Sequence, residues 1–121
     1  MTDWKKKLSD RKESQAKLLG MLGLCMRAGK LIIGTEQVFL AMQKKEKPYL
    51  VFVSEGASDK AKERIGFKCE FYDIPLILLR LPAEELGKRL GKSYAPVCVG
   101  VADEGFAKRL TELSASDSHN T

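Results

Sequence analysis

Histidine is almost missing from this 121-residue chain: the single copy, His119, lies in a polar tail. Ser-His and Cys-His dyads therefore have no base to draw on unless that tail folds back. The three cysteines, Cys25, Cys69 and Cys98, are odd in number and far apart, and none forms a C-x-x-C pair. A zinc site lacks a ligand set and a disulfide framework lacks partners, so reduced, buried thiols in a cytosolic protein are expected. No apolar run approaches the ~20 residues needed to cross a bilayer. A secretory leader is not expected either, because Trp4-Lys5-Lys6-Lys7 is followed by charged residues. Both G-x-x-x-x-G-K-[ST] and a strand-following G-x-G-x-x-G are missing, which removes the common phosphate-binding loops. Neither a cofactor nor a metal is expected.

Charge is present in quantity, and unevenly placed. Lys and Arg total 21 against 16 Asp and Glu, a formal charge of +5. Residues 1–30 alone hold eight cations (Lys5, Lys6, Lys7, Arg11, Lys12, Lys17, Arg27, Lys30) against Asp3, Asp10 and Glu13. From Asp103 onward the balance turns to −2, with Lys108 and Arg109 against Asp103, Glu104, Glu112 and Asp117. An N-terminal excess of this kind suits an anionic partner, and equally a solvated helix face.

Periodicity predicts one domain over residues 14–113, preceded by a charged extension (1–13) and followed by a disordered tail (114–121). Ser14 is read as the cap of a first helix carrying Leu18, Leu19, Leu22 and Cys25 and ending near Ala28, with Gly29 at the C′ position. Leu31-Ile32-Ile33 reads as an edge strand. Thr35 opens a helix to about Lys45 that buries Val38, Ala41 and Met42. Leu50-Val51-Phe52-Val53 is an uninterrupted apolar run, typical of a strand covered on both faces. Ser58 caps a helix over 59–67, and Ile74–Leu79 forms the next strand. Pro82 and Gly91 bracket a helix over 83–90. Val97–Val101 is the last strand, and Asp103 caps a closing helix bearing Phe106, Leu110 and Leu113. Alternating strands and helices, with strands apolar on both faces, imply a three-layer α/β/α sandwich around about four strands. Gly20 and Gly23 are read as small residues for close helix packing.

No catalytic set emerges. Glu84 and Glu85 are adjacent on a helix and cannot share a face. The loops at one end of the sheet are more informative. The Gly34-Thr35 helix entrance offers free backbone N–H groups and a positive helix end, and Lys30 precedes it. The same end could hold Glu55-Gly56 and the loop Gly91-Lys92-Ser93-Tyr94. Donors, acceptors, a cation and an aromatic ring together suit exposed RNA bases. Alone, Thr35 is an ordinary cap and Tyr94 an ordinary loop aromatic.

The segments Leu22-Gly23-Leu24-Cys25-Met26-Arg27-Ala28-Gly29-Lys30 and Ile33-Gly34-Thr35-Glu36-Gln37-Val38 resemble the opening of the L-seven-Ae ribosomal protein family, nearest its small bacterial YlxQ-type subgroup. Val53–Ser58, Leu86-Gly87, Gly91-Lys92 and Val101–Ala107 continue the likeness, which spans about Lys17 to Leu113. The resemblance implies an α/β/α sandwich that binds kink-turn or ribosomal RNA without catalysis. A cytoplasmic monomer is expected, with RNA and ribosomal proteins as partners and no membrane. The family's entrance motif G-x-N-E-x-x-K places Gly34 on its glycine, Glu36 on its asparagine, Gln37 on its glutamate and Leu40 on its lysine. The family's strand-end acid falls on Glu55 and its variable RNA-contacting loop on Lys92-Ser93-Tyr94. The implied RNA-binding set is Lys30, Gly34, Thr35, Glu36, Gln37, Glu55, Gly56, Lys92, Ser93 and Tyr94. Ionised Glu36 only accepts hydrogen bonds where asparagine both donates and accepts. The alternative is therefore a protein-interaction module that kept the fold and lost specific RNA recognition.

Overall fold

The computed structural model describes the backbone of residues 3–119 and the side chains of residues 15–115. Its elements run α1 (Asp3–Arg27), β1 (Leu31–Ile33), α2 (Thr35–Met42), β2 (Leu50–Ser54), α3 (Asp59–Phe71), β3 (Leu76–Leu79), α4 (Ala83–Arg89), β4 (Cys98–Val101) and α5 (Glu104–His119). The four strands form one mixed sheet in the order β1-β4-β2-β3. β4 pairs antiparallel with both β1 and β2, while β2 and β3 are parallel. The expected three-layer α/β/α sandwich is what forms, because the sheet buries both faces.

Successive residues of a strand point to opposite faces, which divides the core in two. Leu50, Phe52, Val99 and Val101 pack with Leu18, Leu19, Leu22 and Cys25 of α1, Leu86 of α4, and Ala107 and Leu110 of α5. Val51, Val53 and Cys98 face the other way, onto Val38, Phe39 and Met42 of α2 and Ile65 and Cys69 of α3. All five residues of β2 and all four of β4 are buried. Their apolar runs therefore show no in/out alternation, and each large side chain buried there contributes on the order of 1.5–3 kcal/mol.

Several boundaries fall elsewhere than local signals put them. α1 starts at Asp3, not Ser14, and absorbs most of the charged extension. Residues 3–19 hold no proline or glycine, so propensity lets the helix continue N-terminally. α5 likewise runs past Leu113 to His119. The remaining tail residues 120–121, and residues 1–2 of the extension, lie outside the described residues. α2 is shorter than expected, with Gln43 as its C-cap, and α3 longer, reaching Phe71 before Asp73 takes φ 56°. β3 begins at Leu76, although the Pro75 carbonyl still accepts from the Val51 N–H (2.9 Å). Gly20 and Gly23 do not serve close packing: a Cβ at Gly20 would meet nothing within 4 Å, and at Gly23 only the tip of Arg27. Two of the expected caps, Ser58 and Asp103, form, while α2 is capped by Gly34 rather than Thr35. Ser58 Oγ accepts from the Ala61 N–H (3.1 Å) and Asp103 Oδ2 from the Phe106 N–H (2.8 Å).

Strand directions fix which loops meet. The C-terminal ends of β1, β2 and β3 and the start of β4 lie at one end of the sheet. At that end Gln15 Nε2 donates to the Arg80 carbonyl (3.0 Å), so α1 crosses the edge of the sheet there. Twelve further helical residues lie N-terminal to Gln15, a length of ~18 Å.

Candidate functional site

β4 opens between the two strands that carry the site, and its first residues tie them together. The Gly34 N–H donates to the Cys98 carbonyl (2.9 Å), and the Ser54 N–H donates to the Val97 carbonyl (2.8 Å). The start of α2 and the end of β2 thus flank one short segment. The Glu55 N–H donates to the Leu79 carbonyl (2.9 Å), which adds the end of β3 to the row.

The α2 entrance is built on backbone conformation. Gly34 is the N-cap with φ 108° and ψ 144°, and no side chain caps the helix. That φ lies where an L side chain is strained, so glycine is needed to aim the helix out of the strand. The first backward bond of the helix runs from the Val38 N–H to the Gly34 carbonyl (3.0 Å). The N–H groups of Thr35, Glu36 and Gln37 are therefore directed outward at the positive end of the helix dipole. Gly34's own N–H is not among them, because Cys98 takes it; the free donors begin one residue later than the sequence suggested.

Glu55 and Gly56 sit beside this entrance, and Ser54 holds them. Ser54 is fully buried; its Oγ donates to the Leu81 carbonyl (2.6 Å) and accepts from the Gly56 N–H (3.0 Å). One hydroxyl so fixes the β2 turn against the segment leading into α4. Gly56 is itself confined, since a Cβ there would lie 3.1 Å from the Ala83 nitrogen. The third piece, Lys92-Ser93-Tyr94, is exposed on the loop between α4 and β4. A Cβ on Gly87 would collide with the Tyr94 carbonyl and press on Pro96 Cδ, so α4 can seat this loop only with glycine there. Tyr94 itself is 54% exposed.

Gly34, Thr35, Glu36, Gln37, Glu55, Gly56, Lys92, Ser93 and Tyr94 thus belong to loops and helix starts at one end of the sheet. Lys30 does not. It lies before β1, where its carbonyl accepts from the Ala102 N–H (2.8 Å), so the whole strand separates it from Gly34. Three strand residues between the two put their backbones ~13 Å apart.

Two basic residues at or beside this end were not singled out from the sequence. Arg80 follows β3 and is exposed. Arg64 of α3 places Nη1 3.7 Å from Glu36 Oε1 and its guanidinium 4.9 Å from the centre of the Phe39 ring. An exposed pair of this length adds little stability. It does place a planar five-donor group beside the position where Glu36 only accepts. Arg64 is 28 residues from Glu36, and no local pattern joins them. The expected buried thiols are all present as free cysteines. Burial raises Cys25 and Cys69 to about 11 and Cys98 to about 12, which keeps them protonated and inert at neutral pH. Among the described residues no acidic, histidine or cysteine cluster could hold a metal ion, and no helix is long and apolar enough to cross a membrane.

A mixed sheet of order β1-β4-β2-β3 between two helical layers, with a glycine-started α2 facing a strand-end turn and a loop from α4, defines a particular class of α/β/α sandwich. The chain belongs to the ribosomal protein L7Ae/L30e/S12e/Gadd45 family, whose profile matches residues 16–111. It is 37% identical over 100 residues to the RNA-binding protein YlxQ of Enterococcus faecium, covering 83% of this chain and 93% of that one. Against the Bacillus subtilis (strain 168) protein of the same name, identity is 34% over 93 residues, with 77% and 90% covered. The large ribosomal subunit protein eL30 of Sulfolobus acidocaldarius is 35% identical over 91 residues, with 75% and 86% covered. Among solved structures, a Bacillus halodurans protein of unknown function superposes with a TM-score of 0.75 at 37% identity, covering 83% of this chain and 98% of that one. The Giardia lamblia 15.5kD RNA binding protein shares the fold at a TM-score of 0.69 and 13% identity, covering 90% and 91%.

Proposed function

We propose that this protein is a non-catalytic RNA-binding protein of the cytoplasm that grips a structured RNA at the α2 entrance. Family membership supports this, as do two relatives named RNA-binding proteins and a third named a ribosomal subunit protein. The observation that carries the reading is the convergence of outward N–H groups of α2 with Glu55-Gly56 and Lys92-Ser93-Tyr94 at one sheet end. Backbone donors and a helix dipole meet phosphate or base acceptors, Glu55 accepts from base amino groups, and Tyr94 stacks. A kink-turn, whose sheared G·A pairs splay bases out of the duplex, is the RNA shape that fits such a set, and ribosomal RNA is its natural source. Lys30 is dropped from the contact set because of its position across the sheet. The chain acts as a monomer in this reading, with ribosomal proteins as neighbours on the same RNA.

Binding of a kink-turn RNA and of a straight duplex of equal length, measured across salt concentrations, tests the proposal. Tighter binding to the kink-turn at every salt supports it. Equal affinities that collapse together with salt would leave only nonspecific electrostatics.

A second reading, a protein-interaction module that no longer reads RNA, is favoured by one feature of α2. Glu36 is engaged by Arg64, and Leu40, 53% exposed, stands at the family's cation position. Glu36→Ala and Lys92→Ala separate the two. If neither changes RNA affinity while a protein partner is still captured, the module reading prevails.

A further inference from the structure

Helix α3 is charged for most of its length, yet it holds two large phenyl rings in solvent. Phe67 is 64% exposed and Phe71 80%. Residues Lys60, Arg64, Phe67 and Phe71 recur at helical spacing and so form one outward stripe. The buried side of the same helix is supplied by Ile65 and Cys69. The two phenylalanines therefore contribute nothing to the core.

Cations line the stripe on the side toward α2. The Arg64 guanidinium and Lys68 Nζ stand 4.9 and 5.5 Å from the Phe39 ring centre. Beyond them Tyr72 meets Phe71 edge-on, with centroids 4.9 Å apart at 89°, and Lys47 lies 5.6 Å from the Tyr72 ring centre. Arg64, Phe67, Lys68, Phe71 and Tyr72 together line a shallow hollow of about 460 Å³. Glu63 and Glu70 fall on the opposite margin of the helix by its 3.6-residue period. The stripe is continuous with the candidate site, because Arg64 is the residue that touches Glu36 at the α2 entrance. From Arg64 it runs about 10 Å along the helix to Phe71.

We infer that this α3 face docks an unpaired RNA strand that flanks the structured RNA held at the α2 entrance. The inference rests on that RNA-binding reading. Exposed aromatic rings one helical turn apart are stacking platforms for successive bases, and base–aromatic stacking tolerates any sequence. Arg64, Lys68 and Lys47 meet the phosphates, and the site's continuity with α2 sets the strand's point of departure. Phosphates along the cation margin and bases on the rings let one RNA strand use both features at once, starting from the RNA already held at α2.

The test compares a kink-turn RNA without overhang to the same RNA carrying a short unpaired tail on either end. The intact chain should bind a tailed RNA about tenfold tighter than the blunt one, a gain in the range of one stacked base. Phe67→Ala/Phe71→Ala should abolish that gain and leave blunt-RNA affinity unchanged. Both rings are exposed, so the variant should melt like the parent. No tail-dependent gain in the parent, or a gain that survives in the double variant, overturns the inference while leaving the α2 reading intact. A parent that dimerises in sedimentation and a double variant that is monomeric with no tail effect would assign the face to self-association instead. Failure of the parent to prefer the blunt kink-turn over a straight duplex would instead sink the α2 reading.

Discussion

A φ of 108° at Gly34 is the conformational decision on which the α2 entrance depends. A β-branched residue is least able to occupy that region, and strain of this kind costs about 1–3 kcal/mol. Gly34→Val is expected to lower stability by that amount in urea titrations. On protein that circular dichroism shows to be folded, it should also weaken kink-turn binding by about tenfold or more, since the helix start would be re-aimed. Unchanged affinity in the folded variant would mean that RNA contact does not pass through the α2 N–H groups. The buried thiols give a second residue-level expectation, with a sign. Cys25, Cys69 and Cys98 ionise in the folded chain at about 11, about 11 and about 12, against 9.0 for a solvated thiol. Between those limits the unfolded chain binds fewer protons than the folded one, so stability is full below pH ~9 and falls as pH rises toward 11–12. A disulfide-exchange reagent at pH 8 should find no reactive thiol in native protein and three after denaturation. Fast reaction of any one without unfolding would contradict its placement in the core.

At the scale of elements, α4 and the loop it supports are coupled through Gly87. The atom that an added Cβ would strike is the Tyr94 backbone carbonyl, not a flexible side-chain tip. Overpacking against backbone costs about 1–3 kcal/mol. Gly87→Ala is therefore expected to shift the amide resonances of Lys92–Tyr94 and to weaken RNA binding. Gly20→Ala, where a Cβ meets open space, should instead stabilise by about 0.5–1 kcal/mol and leave those resonances in place. Identical responses from the two would refute the contact. The same elements show what was legible in the sequence. Leu50–Val53 and Cys98–Val101 announced buried strands because a strand covered on both faces must be apolar without alternation. Ser58, Asp103 and Gly91 announced helix ends because caps and positive-φ turns are local chemistry. What depended on tertiary placement was not legible. The Glu36–Arg64 pair joins two helices, Gln15 reaches Arg80 across 65 residues, and Lys30 looked adjacent to Gly34 in sequence although a strand separates them. The role of Gly87 was equally hidden, because only the packed loop reveals what a side chain there would meet.

The charge asymmetry belongs to the molecule as a whole, and the fold gives it a direction. Residues 1–30 hold eight cations and three acids. α1 passes Arg80 at the site-bearing end of the sheet and continues N-terminally for twelve residues, so its first part extends beyond the loops that form the candidate site. Lys5, Lys6, Lys7, Arg11 and Lys12 all lie on that part of the chain. Cations held there would strengthen binding through phosphate contacts without reading sequence, since each neutralised phosphate releases a counterion. Deleting residues 1–14 should therefore act through salt dependence more than through specificity. The slope of log K against log salt is expected to become shallower by about 2–4, given roughly −0.7 to −0.9 per phosphate contact. The ratio of kink-turn to straight-duplex affinity should hold, because Gly34, Glu55 and Tyr94 are untouched. Titrations of both proteins from low to moderate salt measure the two quantities independently. An unchanged slope would return those five cations to solvent and leave the loops of the sheet end as the entire contact. A collapse of the affinity ratio with the slope intact would show instead that the helix extension helps to shape the site.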